Sequence, residues 1–352
     1  MTSFTLKDFD YTLPPEFIAQ HPAACREESR LLVVDRARGR WRHHRFADLP
    51  DILDARDFLV LNNTRVFPAR LRGRKASGGQ VELLLHHLPE LLPAPAPPNM
   101  ARVRASYRGH RLKVGRVLHF GDGLQGEITA LAGGGVAEVL FRTLEGEVCQ
   151  IILEQGQVPL PPYIRRAPEA PDQERYQTVF ATQAGAIAAP TAGLHFTPDI
   201  MAELTAGGID SAFITLHVGP GTFLPVRTPD YTRHRMQPEF FVMPAGTAQR
   251  LNQARAAGRR LVAVGTTSVR VLEHCAGPEG FTPREGWCGL YIYPGHHFQA
   301  VDRILTNFHL PKSTLLLLVA AFAGRDLILA AYQEAIRERY RFYSYGDCML
   351  IL

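Results

Sequence analysis

The sequence lacks the features that mark membrane and secreted proteins. Its longest apolar run covers only nine residues, 315–323, and polar residues follow directly after Gly324. A membrane-spanning helix needs about 20 apolar residues, so we predict no membrane span and no membrane partner. Residues 1–8 show no cationic stretch followed by an apolar block, which is the pattern of a secretory signal. We therefore expect the protein in the cytoplasm.

Cysteine is scarce, and its spacing suits neither cross-links nor zinc. The five cysteines, at positions 25, 149, 275, 288 and 348, form no Cys-x-x-Cys pair. Histidine is more frequent, but neighbours such as His43 and His44 point in different directions and no His-Glu-x-x-His spacing occurs. We therefore expect no metal. A serine hydrolase is also disfavoured, because the sequence has no Gly-x-Ser-x-Gly.

The composition that is present fits a folded protein of two domains. Apolar residues make up 46% and charged residues 21%, as in soluble globular proteins. The length of 352 residues exceeds the roughly 150 expected of one domain. Short alternating runs separated by glycines predict a small all-β barrel, and these runs are residues 65–72, 80–87, 101–107, 116–120, 124–131 and 136–142. A proline-rich stretch at 88–100 is then a loop within the barrel.

The flanking parts alternate strand-like runs with capped helices, which indicates an α/β fold. Thr197 is placed to cap a helix that begins at Pro198, and Gly207-Gly208 follow its end. Further strands are predicted at 210–218, 261–264 and 289–293, and further helices at 247–257, 313–323 and 326–339. We therefore predict an α/β domain formed by residues 1–63 and 158–352, interrupted by a β-barrel domain at residues 64–157.

Positive charge is concentrated in two stretches of the predicted barrel. The net charge is only +5, yet residues 65–75 and 102–116 are rich in arginine and contain no acid. Such clusters neutralise phosphates, but a solvated basic face is an equally good interpretation. The candidate RNA-binding residues are Arg65, Arg70, Lys75, Arg102, Arg104 and Arg108.

Four segments are rich in glycine, proline, histidine and hydroxyl residues, at places where predicted strands meet predicted helices. They are residues 185–196, 215–223, 264–270 and 306–314. Small residues let a ligand approach the backbone, and the helix start after Gly265 offers N–H groups to an anion, although ordinary capping explains its hydroxyls equally well. The segments match neither a dinucleotide fingerprint nor a triphosphatase loop. The candidate ligand-binding residues are Thr191, Gly193, Gly219, Gly221, Thr267, Ser268, Arg270 and Lys312.

Acid/base chemistry has its own candidates. His234 and Glu239 lie five residues apart and form an acid/base pair if a loop brings them together, although such a pair is more often a surface salt bridge. Histidines within the four segments are the other candidates, namely His195, His217 and His309.

Longer motifs give the sequence a family resemblance. They are FDYTLPP at 9–15, LNNTRVFPARL at 61–71, PLPPYI at 159–164 and RYQT at 175–178, together with the four segments and the YGD at 345–347. Over nearly its whole length the chain resembles the S-adenosylmethionine:tRNA ribosyltransferase-isomerases of queuosine biosynthesis. The resemblance implies an α/β protein with an inserted β-barrel.

The resemblance also implies a reaction. The family transfers and isomerises the ribosyl part of S-adenosylmethionine onto 7-aminomethyl-7-deazaguanine at the tRNA wobble position, giving epoxyqueuosine-tRNA and releasing adenine and methionine. S-adenosylmethionine is then a consumed co-substrate, no cofactor or metal is needed, and the anticodon region of tRNA is the partner. No protein partner is predicted.

Two positions depart from the family pattern. The family usually has Asp at the position of Asn63 and a second His at the position of Gln237. We therefore place the general base at His234 or Glu239 first. Two other functions stay open from the residues alone: an RNA-binding factor without chemistry, and an α/β enzyme that acts on a small nucleotide.

Overall fold

The computed structural model describes residues 4–92, 99–121, 123–223, 226, 228 and 230–352. The strands are β1 (Arg30–Asp35), β2 (Arg40–Arg45), β3 (Asp57–Asn62), β4 (Thr64–Val66), β5 (Arg70–Lys75), β6 (Gln80–Leu85), β7 (Glu90–Leu91), β8 (Met100–Arg108), β9 (Val117–Phe120), β10 (Leu124–Ala132), β11 (Val136–Thr143), β12 (Gln183–Ala186), β13 (Asp210–Leu216), β14 (Glu239–Met243), β15 (Arg260–Val264), β16 (Ala276–Gly277), β17 (Gly280–Phe281), β18 (Arg284–Cys288), β19 (Arg303–Asn307) and β20 (Cys348–Ile351). The helices are α1 (Leu49–Ile52), α2 (Val148–Gln155), α3 (Asp172–Arg175), α4 (Pro198–Ala206), α5 (Ala245–Ala256), α6 (Thr266–Cys275), α7 (Thr314–Ala323) and α8 (Arg325–Arg337).

Both ends of the chain contribute to one nine-stranded sheet, in the order β18-β14-β13-β3-β15-β19-β20-β1-β2. The four strands β13, β3, β15 and β19 are parallel to one another, so their carboxyl ends lie at the same edge. All six residues of β3 are buried, as expected for a strand covered on both faces. The loops that follow these four strands therefore begin next to one another, at the same edge of the sheet.

The helix ends follow the capping signals in the sequence. The Thr197 side chain accepts a hydrogen bond from the Ile200 N–H at 3.2 Å, which confirms the predicted start of α4. The Ser313 hydroxyl does the same for the Leu316 N–H at the start of α7. The strand predicted at 289–293 is wrong. The strand lies earlier, at β18, where it pairs with β14, and residues 289–293 are irregular.

The middle of the chain folds into a closed antiparallel barrel. Strands β5, β6, β8, β11, β10 and β9 pair in that order, and β9 returns to β5. Alternate residues fill its core, including Leu71, Val103, Phe120 and Phe141. The α/β fold with an inserted barrel is thus confirmed, whereas the boundaries at 64 and 157 stay predictions.

The first strand of the barrel differs from the prediction. The run 65–72 is not one strand, because β4 pairs in parallel with β12 and β5 begins only at Arg70. Pro68 lies in the break, where its missing N–H removes a donor that a continuous strand would use. Most of the predicted proline-rich loop, residues 93–98, lies outside the described residues.

Within the described residues no single helix is both long and apolar enough to cross a membrane. Helices α7 and α8 meet the length and composition criteria only when joined, and they meet at an angle of 115°.

Candidate active site

A partly enclosed cavity lies at the carboxyl ends of the parallel strands, and we call it the strand-end cavity. Residues that follow β13, β15 and β19 line it, together with the segment after β12. Open α/β sheets bind ligands at this edge. The structure thus brings the four segments singled out in the sequence to one place. Lining residues from them are Ala189, Pro190, Thr191, Val218, Gly265, Thr267, Asn307 and His309.

The start of helix α6 forms one wall of this cavity. Gly265 has a φ of +87°, in the left-handed region that favours glycine, and no side chain caps the helix. Thr266 and Thr267 line the cavity, so the first-turn N–H groups of α6 lie beside it. The Ser268 hydroxyl instead donates to the Val264 carbonyl at 2.8 Å and is fully buried. Of the predicted hydroxyl pair, only Thr267 lines the cavity.

A buried amide holds the neighbouring strand ends together. Asn62 Nδ2 donates to the Leu216 carbonyl at 3.0 Å and to the Thr267 hydroxyl at 3.3 Å. Its Oδ1 accepts from the N–H groups of Thr64 and Leu216. The next residue, Asn63, accepts at Oδ1 from the Thr215 hydroxyl at 2.7 Å. The ends of β3, β13 and α6 are therefore fixed relative to one another.

His309 is the acid/base candidate that lines the cavity. Its Nε2 lies 2.8 Å from the Thr306 hydroxyl, and its backbone N–H donates to the Tyr332 hydroxyl at 3.0 Å. The Tyr11 hydroxyl donates to its carbonyl. Burial lowers the pKa of His309 to about 3, so the ring is neutral at physiological pH. The unprotonated ring can accept a proton, and a pKa of about 3 makes it a weaker base than a free imidazole.

His195 lies behind the cavity wall. Asn307 Nδ2 donates to its Nε2 at 3.3 Å and also to the carbonyls of Tyr343 and Asp347. Because carbonyl oxygens only accept, these contacts fix the orientation of the Asn307 amide. Burial, and then the charges of Arg26 and Arg341, lower the pKa of His195 to about 3. His195 therefore contacts Asn307, which lines the cavity, and does not line the cavity itself.

His217 packs tightly at the end of β13. Its Nδ1 lies 2.7 Å from the Thr64 hydroxyl, and its ring stacks on Phe240. A Cβ on Gly185 would come within 2.6 Å of Nε2, so the ring needs a glycine opposite. Burial lowers the pKa of His217.

Glu239 and Arg270 form a buried ion pair. They are 3% and 4% exposed, and Arg270 donates to one oxygen of Glu239. The other oxygen accepts from the Gly219 N–H at 2.8 Å, while Arg270 donates to the carbonyls of Cys288 and Leu290. The predicted base and the predicted anion contact are therefore each other's partners, and together they hold the loop at Gly219.

The remaining predicted binding residues, and the catalytic candidate His234, do not line the strand-end cavity. A Cβ on Gly193 would meet Phe180 and Thr178 at 2.8 Å, and a Cβ on Gly221 would meet Gln237 at 2.9 Å, so both glycines fit tight packing. Lys312 donates to Asp10 at 2.6 Å in a half-exposed pair. The ring of His234 packs on Tyr291, with centroids 5.3 Å apart. Their predicted roles stay predictions.

Sequence reasoning assigned no role to three cavity residues, Tyr163, Tyr343 and Ser344. The rings of Tyr163 and Tyr343 lie 4.7 Å apart, and the Tyr163 hydroxyl bonds to Ser344. Tyr343 has a φ of 70°, which is strained for a tyrosine. The PLPPYI motif at 159–164 was the available signal for Tyr163.

A second, larger depression of about 570 Å³ lies between the barrel and residues 159–167, and we call it the basic cleft. Arg70, Arg72, Arg108 and Arg165 line it, together with the carboxylate of Glu82. Among the other predicted RNA contacts, Arg65, Arg102 and Arg104 are exposed outside this cleft, and Lys75 donates to the His110 carbonyl. Of the six predicted RNA contacts, Arg70 and Arg108 therefore line the basic cleft and the other four do not.

Known proteins resemble the chain along its whole length. The sequence model of a family described as queuosine biosynthesis protein matches residues 6–351. The S-adenosylmethionine:tRNA ribosyltransferase-isomerase of Syntrophotalea carbinolica is 49% identical, with 99% of each chain covered. That of Natranaerobius thermophilus is 48% identical, covering 98% of this chain and 99% of the relative. The crystal structure of S-adenosylmethionine tRNA ribosyltransferase from Thermotoga maritima is 36% identical with a TM-score of 0.56, covering 98% of this chain and 100% of that one.

Proposed function

The chain belongs to the queuosine biosynthesis protein family and is an S-adenosylmethionine:tRNA ribosyltransferase-isomerase, and from this premise we propose that the strand-end cavity binds S-adenosylmethionine while the barrel side binds tRNA. The observation that carries the placement is the convergence of four separate segments on one cavity at the ends of parallel strands. The ribosyl acceptor is 7-aminomethyl-7-deazaguanine at the wobble position, and adenine and methionine are the released products.

The start of α6 binds the methionine carboxylate. Its uncapped N–H groups face the cavity beside Thr266 and Thr267, and helix N-termini favour anions. The sulfonium and ribose then lie nearer to His309, and the flat adenine ring fits between the small residues at 189–192 and the aromatic pair Tyr163 and Tyr343.

His309 is the general base of this proposal. A sulfonium acidifies the neighbouring C5′ hydrogens, and removal of one gives an ylide whose rearrangement expels adenine. The imidazole is neutral before the step and becomes positive while the sulfonium loses its net charge, so the charge of the site is unchanged. Thr306 holds the ring during the transfer. Glu239 and His234, the first sequence-based choices, stay predictions, and the ion pair with Arg270 gives Glu239 a positioning role.

The amine of the modified base then attacks the sugar, and methionine leaves as the epoxide closes. The amine must be neutral to attack, so a desolvated site favours the reaction. Burial around Asn307, His309 and Phe308 supplies such a site.

Release of adenine tests the proposal directly. The protein is incubated with S-adenosylmethionine and tRNA bearing 7-aminomethyl-7-deazaguanine, and adenine is measured by chromatography. We expect adenine in a one-to-one ratio to modified tRNA, and none without tRNA turnover. His309→Gln tests the placement of the base. The control is Asn252→Ala, because Asn252 lies on helix α5 and its amide bonds to the backbone of Phe281 on β17, away from the cavity.

A further inference from the structure

The basic cleft is an open groove lined by several arginines. Its volume is about 570 Å³. It is open along one wall of the barrel, from strands β5, β6 and β8 to the proline-rich segment 159–167. An extended partner fits this shape better than a compact one.

The arginines of the cleft are close together and only partly neutralised. Arg70 and Arg72 lie 3.9 Å and 3.7 Å from Glu82, which are ion-pair distances longer than hydrogen bonds. Arg108 lies opposite Glu82 in the β6–β8 register. Burial, with a further contribution from the charges of Arg72 and Arg108, lowers the pKa of Arg70. Several guanidinium groups therefore share one carboxylate.

A fourth guanidinium, that of Arg165, faces the same cleft from the opposite wall. Its neighbour Arg166 also lines the cleft, but two hydrogen bonds to Asp172, at 2.6 Å and 2.8 Å, neutralise it. Tyr107 adds an aromatic ring to the lining. Guanidinium groups with an aromatic ring are the combination that binds single-stranded nucleic acid.

The basic cleft adjoins the strand-end cavity. Tyr163 lines the cavity and Ile164 the cleft, while Val218 lines the cavity and Pro220 the cleft. The segment at 187–189 is a third link, with Ile187 in the cleft and Ala189 in the cavity. A nucleotide chain in the cleft can therefore place one base toward the cavity without crossing the barrel.

We infer that the basic cleft holds the single-stranded nucleotides that flank the target base in the tRNA anticodon loop, with Arg70, Arg72 and Arg108 on their phosphates. The inference rests on the proposed function, because it assumes that tRNA is the substrate. It also divides the basic residues of the barrel. Arg102 and Arg104 lie on the same strand as Arg108 but pair across to Glu90 and Glu138 instead.

The test compares three double variants, each of which removes two positive charges. Arg72→Gln with Arg108→Gln removes two cleft contacts, Arg102→Gln with Arg104→Gln changes the other end of β8, and Arg40→Gln with Arg42→Gln changes the exposed edge strand β2. Affinity for tRNA is measured from 50 to 300 mM salt, a range of about sixfold chosen to resolve the slope. Binding of S-adenosylmethionine is measured alongside by calorimetry.

We expect the cleft variant to bind tRNA about tenfold to hundredfold more weakly, with S-adenosylmethionine binding unchanged. The salt slope, which is the slope of the logarithm of the tRNA binding constant against the logarithm of the salt concentration, should fall by about two. The β8-end variant should lose less, and the β2 variant should match the parent. Restoring charge with Arg72→Lys and Arg108→Lys should recover most of the slope. An equal or larger loss in the β8-end variant, or a parental slope in the cleft variant, overturns the inference. Failure of the parent protein to bind tRNA would instead reject the proposed function.

Discussion

The barrel and the strand-end cavity are built in opposite ways. In the barrel most strands pair with a neighbour in sequence, as β5 does with β6 and β10 with β11, and one alternating pattern fills the core. The cavity draws its lining from residues 163 to 344, held by bonds such as that from Asn307 to Tyr343. A change in the barrel should therefore act locally, whereas a change at the cavity should affect stability and chemistry together.

The buried ion pair gives the largest expected difference between the regions. Glu239→Ala leaves Arg270 charged and buried, which should cost about 3–5 kcal/mol of unfolding free energy and most of the activity. The barrel control is Glu127→Ala, which breaks an exposed pair with Arg142 and should cost less than about 1 kcal/mol. Urea unfolding measures both. Equal costs would show that the cavity pair is no more important than a surface pair.

At His309 a substitution should affect the chemical step more than the binding of S-adenosylmethionine. His309→Gln should slow single-turnover adenine release about a hundredfold, equivalent to about 3 kcal/mol, while S-adenosylmethionine binding stays within about threefold. The barrel control Phe141→Ala removes a buried ring and should lower stability more than it lowers the rate of chemistry in the folded protein. Adenine release by His309→Gln at the parental rate would exclude His309 as the base.

Acid should weaken the cavity region through its buried histidines. Burial lowers the pKa of His195 and His309 to about 3, so the unfolded chain, with imidazoles near pKa 6.5, binds protons first as the pH falls. Stability should therefore be complete above about pH 6.5 and decline from there to about pH 3, with about 2 kcal/mol lost per histidine at pH 5.

Urea unfolding between pH 8 and pH 5 checks this decline. Replacing one histidine, as in His309→Asn, should reduce the loss at pH 5 by about 2 kcal/mol, and replacing both should reduce it by about 4 kcal/mol. The remaining decline comes from other histidines, such as His86 in the barrel, whose pKa burial lowers to about 4. A decline in the double variant as large as in the parent would place the titrating groups elsewhere.

The smallest expected effect has the opposite sign and lies in the basic cleft. Glu82→Gln removes the carboxylate that lies near Arg70 and Arg72, so the cleft repels phosphate less. Affinity for tRNA should rise about twofold to fivefold, since partly exposed charges contribute little. Glu138→Gln, on β11 across from Arg104, is the control and should change affinity less. Weaker binding by Glu82→Gln would mean that this carboxylate organises the arginines.

The barrel and the cavity also differ in how well the sequence predicts them, because the barrel depends more on local contacts. The alternation of residues 124–131 and 136–142 predicts β10 and β11 directly, and hydroxyl residues before Pro198 and Thr314 predict two helix starts. The four chemistry-bearing segments are also visible, because glycine and proline mark strand ends. Local pattern is enough for these features, since each depends on residues close in the chain.

Pairing across the chain is not visible in the same way. Glu239 and Arg270 are 31 residues apart, so a sequence pattern shows two candidates for chemistry and not one ion pair. Ser268 looks like a ligand donor until its hydroxyl is seen to bond to Val264. The left-handed backbone at Tyr343 is set by tertiary contacts and leaves no mark on a tyrosine.

Strand β20 has a consequence for how the protein is made. It lies between β1 and β19, parallel to the first and antiparallel to the second, although it comes more than 300 residues after β1. During synthesis β1 and β2 can form only a hairpin with an open edge, and they cannot join the larger sheet until residues 348–351 have left the ribosome. The barrel needs no such late residues, so it can fold first. We expect a nascent chain stalled before residue 348 to hold a finished barrel and an aggregation-prone edge at β1.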